Sequence, residues 1–361
     1  MGDRKNYAIE WYRYFFAFFI CTLHFKEYFG DPYPFGGAYL AVEFFFIVSG
    51  FFLMQSIDRQ KGGTEGLGLE RGTAAFFVKK FKHLYPQYIL SWALLAAYSV
   101  LSRHSLTIRD ILVDHPAEIF MLQILGAGKR LNPAMWYVSA LLFVSVVVYY
   151  LANKNRKRFV YAIAPVCTVL IYSYLYQTVG ALGGVGWKNL LIVREGFWRG
   201  LAGICLGCIV YEAYTKLDAA AQRRFPILRT VYEVGTLCLL SVMFYRPGNT
   251  AADFTLTAMM ALLVLSAMCS GPDSGGYLSR LLCRVKIDGR YAYAIYCGHW
   301  LINCIVRDHF PGYPFYPALA VYLIVTVAVS VCTTKLIELT TSPLGGGGGV
   351  KEAVGCLSYS V

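Results

Sequence analysis

Ten stretches of roughly 17 to 24 mostly apolar residues fill this chain, each close to the length that crosses a bilayer. They run over 8–25, 38–57, 86–103, 135–152, 159–178, 197–214, 227–245, 254–270, 291–308 and 315–338. A helix of about 20 residues rises about 30 Å, the thickness of the hydrocarbon layer. The expected fold class is therefore all-α: a polytopic membrane helix bundle with about ten transmembrane helices. The first run starts near Ala8, contains Arg13 and ends at His24. No small-residue cleavage site follows it, so it is expected to stay as the first helix.

Charge supports this layout and orients it. Only 15% of the 361 residues are charged, against nearer a quarter in soluble domains. The net charge of +12 raises nucleic acid as a partner, but the basic residues are distributed as loop anchors. With the N-terminus inside, Arg59, Arg71, Lys79, Lys80, Lys82, Arg156, Lys157, Arg158, Arg280 and Arg284 fall on inner segments. Basic residues then favour the inside by about two to one, as the positive-inside rule expects. One missed helix would invert every later loop, so the count is even and both termini are cytoplasmic. No nucleic acid partner is expected.

Residues 1–342 form one membrane-embedded domain on this reading. Residues 343–361, with five consecutive glycines from Gly345 to Gly349, form a flexible tail. The segment 104–134 is mixed in character, with Asp110, Asp114 and Glu118. It reads as an outer loop with a short interfacial helix, or else as a re-entrant segment packed in the protein. Cys205 and Cys208 make a CxxC, but no second Cys or His pair stands nearby. No metal site is expected, because structural zinc wants four ligands.

Ionisable residues inside spans are costly and mark function by default. Arg13 and His24 lie eleven residues apart, roughly 20° from three full turns, so they share one stripe about 16 Å long. Glu10 is placed to pair with Arg13 at i,i+3. Snorkelling of Arg13 and an interfacial His24 are the plainer alternative. Glu43 stands among phenylalanines and needs a partner or a proton. Ser49 and Gly50 follow, a sign of close backbone approach or of a kink. Arg199 sits inside the sixth run one turn after Arg194 and Glu195, where it can join an outer polar cluster. Gly203 and Gly207 give a GxxxG helix-packing signal.

Five segments, in order, resemble the acyltransferase-3 family of bacterial integral-membrane O-acyltransferases. IEWYRYFFAFFICTLHF is similar to its first helix, with Arg13, ten residues, then His24. VEFFFIVSGFFL is similar to the second-helix signature, and FVKKFKHLYPQY to a basic stretch before the third helix. NPAMWYVSALLF is similar to the fourth-helix Trp-x-x-Ser, and YAYAIYCGHWLI to a late Tyr-x-x-Tyr-x-x-His. The basic stretch departs from the pattern, with Lys79, Lys80, Lys82 and His83 where Arg is usual. Lysine grips phosphate at a single point rather than bidentately.

The resemblance implies cytoplasmic acyl-CoA, usually acetyl-CoA, as donor. It implies a hydroxyl of a cell-envelope glycan or lipid-linked sugar as acceptor, and the bacterial inner membrane as location. Under it His24 is the candidate general base, Arg13 and Glu43 complete the catalytic set, and Lys79, Lys80, Lys82 and Ser49 are candidates for holding the donor. Trp136, Ser139, His299 and Arg199 are candidates for the acceptor pocket. Ser49 as an acyl-enzyme nucleophile is a weaker variant of the same chemistry. The competing reading is a secondary transporter or exporter. It would use the same buried charges, but internal repeats and paired broken helices are not evident.

Overall fold

The computed structural model describes residues 5–26, 34–60, 68–102, 106–126, 128–183, 189–190, 193–217, 224–246, 248 and 250–341. The expected tail, 343–361, lies outside them. Each of the ten apolar runs falls on a helix of its own: α1 (Tyr7–Lys26), α2 (Ala41–Gln60), α3 (Leu69–Leu101), α6 (Trp136–Lys154) and α7 (Arg156–Val179), then α8 (Glu195–Lys216), α9 (Pro226–Tyr245), α10 (Ala252–Met268), α12 (Arg290–His309) and α13 (Phe315–Thr341). Short helices α4 (Ile108–Asp114), α5 (Pro116–Ile119) and α11 (Tyr277–Arg284) lie between them. The only sheet among the described residues is a two-residue antiparallel ribbon, Asn189–Leu190 with Val193–Arg194. The chain is a polytopic helical bundle.

Six of these helices are long and apolar enough to cross a membrane on length and composition alone. Helices α1, α8 and α12 fall short, and they carry Arg13 and His24, Arg199 and Glu212, and His299 and Arg307. Their ionisable residues depress mean hydropathy, and Arg13, Arg199, Glu212 and His299 are buried inside the bundle. Helix α10, at 17 residues, is short.

The bundle has a core and a lipid-facing rim. In α2, 83% of the apolar stretch is buried, against 22% in α7 and in α9. Helices α2 and α8 make the tightest contact. A Cβ on Gly207 would stand 2.0 Å from the Ile47 carbonyl oxygen, and one on Gly50 2.0 Å from that of Ile204. Backbones that touch this closely tolerate no side chain, which is what the GxxxG and the Ser-Gly pair signalled.

Helix α3 corrects one boundary. The sequence places Lys79, Lys80 and Lys82 ahead of a span starting at Pro86, but the helix runs unbroken from Leu69 through Pro86. Proline removes one main-chain donor, a loss that membrane helices tolerate when neighbouring groups supply partners. The Tyr293 hydroxyl donates to the Leu84 carbonyl beside this step, at 2.9 Å. At 33 residues the helix is about 50 Å long, so its basic first half extends beyond the hydrocarbon.

The segment between α3 and α6 divides in two. Helix α4 is capped by a Thr107–Asp110 capping box and has no buried residue. The second half turns inward, and Glu118, Met121, Gln123, Ile124 and Asn132 are buried. The Glu118 carboxylate accepts from the Leu131 and Asn132 amides at 2.6 and 2.9 Å. Gln123 donates to Tyr88 Oη and to the Met135 carbonyl. Non-helical backbone at this depth is stable because it is buried in protein with its polar groups bonded.

Candidate active site

A cavity of about 510 Å³ opens between α1, α3, α12 and α13. Its lining changes character from one end to the other. Lys79, Lys82 and Arg290 supply cations, while Phe45, Tyr137, Tyr293 and Tyr296 supply an aromatic wall. Lys79 and Lys82 are three residues apart, about 60° on the helical wheel, so both reach the cavity. Lys80 is buried and is not among the lining residues, although it stands near Arg13 and His83, which are.

Arg290 is held at the rim. It pairs with Asp288 and reaches Glu338 on α13. Burial raises the pKa of Asp288, but hydrogen bonds and charge from Arg290 prevail and hold it below the usual carboxylate range.

Arg13 projects into the same cavity from α1. It is 4% exposed. One nitrogen lies 3.5 Å from Glu10, and the guanidinium stands 5.7 Å from the Phe52 ring centroid. Its Nε and Nη2 have no hydrogen-bond partner among the described residues. Buried guanidinium donors left open are expensive, and Arg13 also lines a space large enough for a ligand. Tyr137 lines the same cavity, with its buried phenol beside the Ser49 hydroxyl.

His24 lies further along the same face of α1. Its ring stacks on His299 at 5.2 Å between centroids and meets Trp300 edge-on at 5.2 Å. Asn303 Nδ2 donates to the His24 carbonyl at 2.8 Å. Arg13 and His24 thus both face α12, one beside Tyr293 and Tyr296, the other beside His299 and Asn303. His299 is fully buried. Its Nδ1 is 2.6 Å from the Tyr296 carbonyl, which can only accept, so Nδ1 carries the proton and Nε2 keeps a lone pair.

The other sequence candidates cluster elsewhere. Glu43 and Arg199 form a buried ion pair at 2.5 Å. The second Glu43 oxygen accepts from Tyr172 at 2.6 Å, and Arg199 Nη2 donates to the Tyr39 carbonyl at 3.0 Å. Trp136 covers this pair, its ring 5.7 Å from the Arg199 guanidinium. Ser139 donates to the Met121 carbonyl and accepts from the Ile124 amide, which anchors the inward-turned segment. Ser49 is buried with its hydroxyl beside the Tyr137 phenol, and it does not line the cavity. Arg194 donates to the Gln123 carbonyl at 3.0 Å. Burial and the nearby Arg194 bring Arg130 down to about 10, so two guanidinium groups sit close together at this end.

Tyr137 and Arg290 were not singled out from the sequence as site residues, and Tyr296 entered only as the second tyrosine of the Tyr-x-x-Tyr-x-x-His segment, without a role of its own. Tyr137 had no signal beyond its place beside Trp136. Among the described residues no group of three His, Cys, Asp or Glu is placed to hold a metal.

Residues 6–335 match the acyltransferase-3 family, described as an acyltransferase domain. Over 88 residues the chain is 40% identical to a protein described as "Protein 2 in picA locus" from Rhizobium radiobacter. That stretch covers 23% of this chain and 40% of the relative, so the chain spans about two fifths of the curated protein it matches. No solved structure matches.

Proposed function

Starting from a chain that belongs to the acyltransferase-3 family, we propose that it moves an acetyl or other short acyl group from cytoplasmic acyl-CoA to a hydroxyl of an envelope glycan or lipid-linked sugar. The bundle sits in the bacterial inner membrane with ten spans and both termini inside. The observation that carries this reading is the cavity, cationic at one end, aromatic at the other, with Arg13 on its wall. That polarity suits a polyanionic head group joined by a long neutral arm to a thioester. Lys79, Lys82 and Arg290 take the phosphates by charge-assisted contacts. Arg13 donates to an oxygen of the arm or thioester, where low surrounding polarity strengthens the contact.

His24 is the general base. The acceptor oxygen bonds to the thioester carbon, its proton passes to His24, the carbon–sulfur bond breaks, and the thiolate recovers a proton to leave as CoA. Proton transfer of this kind contributes about 10²- to 10⁴-fold. Glu43 and Arg199 serve as a scaffold in this assignment, because their hydrogen bonds are spent on each other, Tyr172 and Tyr39. Two measurements test the proposal together. Envelope glycans with and without the protein are compared by mass spectrometry for a lost acyl increment, and CoA release is followed in His24→Ala. Loss of both signals is expected; unchanged turnover in a folded His24→Ala protein refutes the assignment of the base.

A further inference from the structure

The donor cavity stops one ring short of the candidate base. Tyr296 is the residue at the boundary. It lines the cavity, and its ring lies 5.7 Å from that of His299, which stacks on His24. His24 and His299 are not among the cavity-lining residues. Helical geometry explains the step. Each advance of three residues turns the side chain back by about 60° and lifts it about 4.5 Å, so Tyr293 and Tyr296 face the cavity and His299 turns toward α1.

The phenol of Tyr296 is also tied down. It donates to the Ala134 carbonyl, in the turn Pro133–Met135 that leads into α6. That turn follows the inward-packed segment whose Leu131 and Asn132 amides are held by Glu118. Asn132 in turn reaches the Cys297 carbonyl on α12 at 3.5 Å. The ring that blocks the passage is therefore fastened to the segment joining α3 to α6, at the opposite end of the bundle from the basic half of α3.

We propose that the Tyr296 ring is a movable partition between the donor cavity and the His24–His299 pair, latched through Ala134 to the α3–α6 segment. This rests on the acyl-CoA reading of the cavity. Acceptor engaging that segment frees the phenol, the ring swings aside, and the thioester meets His24. With the latch closed, the thioester is kept from water near the base. The device makes acyl transfer conditional on an acceptor, and Tyr296 acts as a positioning residue.

The test needs no identified acceptor. Full-length protein is given acetyl-CoA alone, and thiol release is followed as water attacks the thioester, giving acetate and free CoA. Tyr296→Ala should release thiol at least tenfold faster than wild type. Tyr296→Phe, which keeps the ring but cuts the latch, should fall between. Adding His24→Ala to Tyr296→Ala should return release to the wild-type level, which a merely loosened structure would not do. Binding of free CoA, measured by calorimetry, should persist in every variant and shows that the chain still folds and holds the donor.

If Tyr296→Ala does not fold, Tyr296→Phe decides alone, and release equal to wild type overturns the partition. A leak that survives removal of His24 overturns it as well. A wild-type chain that binds no CoA removes the donor reading and the partition with it. A chain that binds CoA but leaks in neither variant removes the partition only.

Discussion

Replacing Glu43 by Ala leaves Arg199, which is 2% exposed, without the partner of its Nε. The remaining contacts are the Tyr39 carbonyl and the rings of Trp136 and Tyr39. Tyr172 loses the acceptor of its hydroxyl in the same step. Breaking a buried pair from one side costs about 3–5 kcal/mol, because an uncompensated charge stays behind. Stranding the hydroxyl costs about 1–3 kcal/mol more if no water reaches it. The two costs belong to one network and do not add in full. A loss of about 3–6 kcal/mol is expected on these grounds.

The double replacement Glu43→Met with Arg199→Met removes both charges and fills similar volume, so it should cost less than either single change. Thermal unfolding of the detergent-solubilised protein reads the cycle. A coupling of at least about 2 kcal/mol is expected. CoA binding should persist in Glu43→Ala below its melting temperature. Additive effects would refute the clamp. A Glu43→Ala protein as stable as wild type but inactive would place Glu43 in the chemistry instead.

Two further outcomes follow from particular contacts. Gly207→Val should destabilise the protein by about 1–3 kcal/mol or more, since even one carbon would lie 2.0 Å from the Ile47 carbonyl oxygen; melting in detergent checks this, and an unchanged midpoint would mean that α2 and α8 do not touch there. Lys79→Glu with Lys82→Glu should raise KM for acetyl-CoA about tenfold or more with kcat nearly unchanged, because both line the cavity and act on a ground-state charge; equal losses in kcat and kcat/KM would contradict that role.

The sequence-level expectations divide along a physical line. The ten helices and the shared face of Arg13 and His24 follow from local properties: apolarity summed over about 20 residues, and a fixed 100° per residue. The close approach at Gly203 and Gly207 was legible for the same reason, since an absent side chain is written in the sequence. The extent of α3 was misjudged at Pro86, where proline's local rule predicts a boundary and neighbouring helices supplied what the rule assumes is missing.

What the sequence by itself determined is therefore a helical membrane bundle with one helix bearing an arginine and a histidine toward a common neighbour. Only the tertiary structure decided that Glu43 is paired with Arg199, 156 positions away, and that Ser139 bonds the Met121 carbonyl. It also decided that Lys80 parts company with Lys79 and Lys82, and that the cavity ends at Tyr296. A residue type and its spacing state which bonds a side chain can make. Which partner is near enough to take them depends on how distant helices pack, and no local pattern in the chain carries that information.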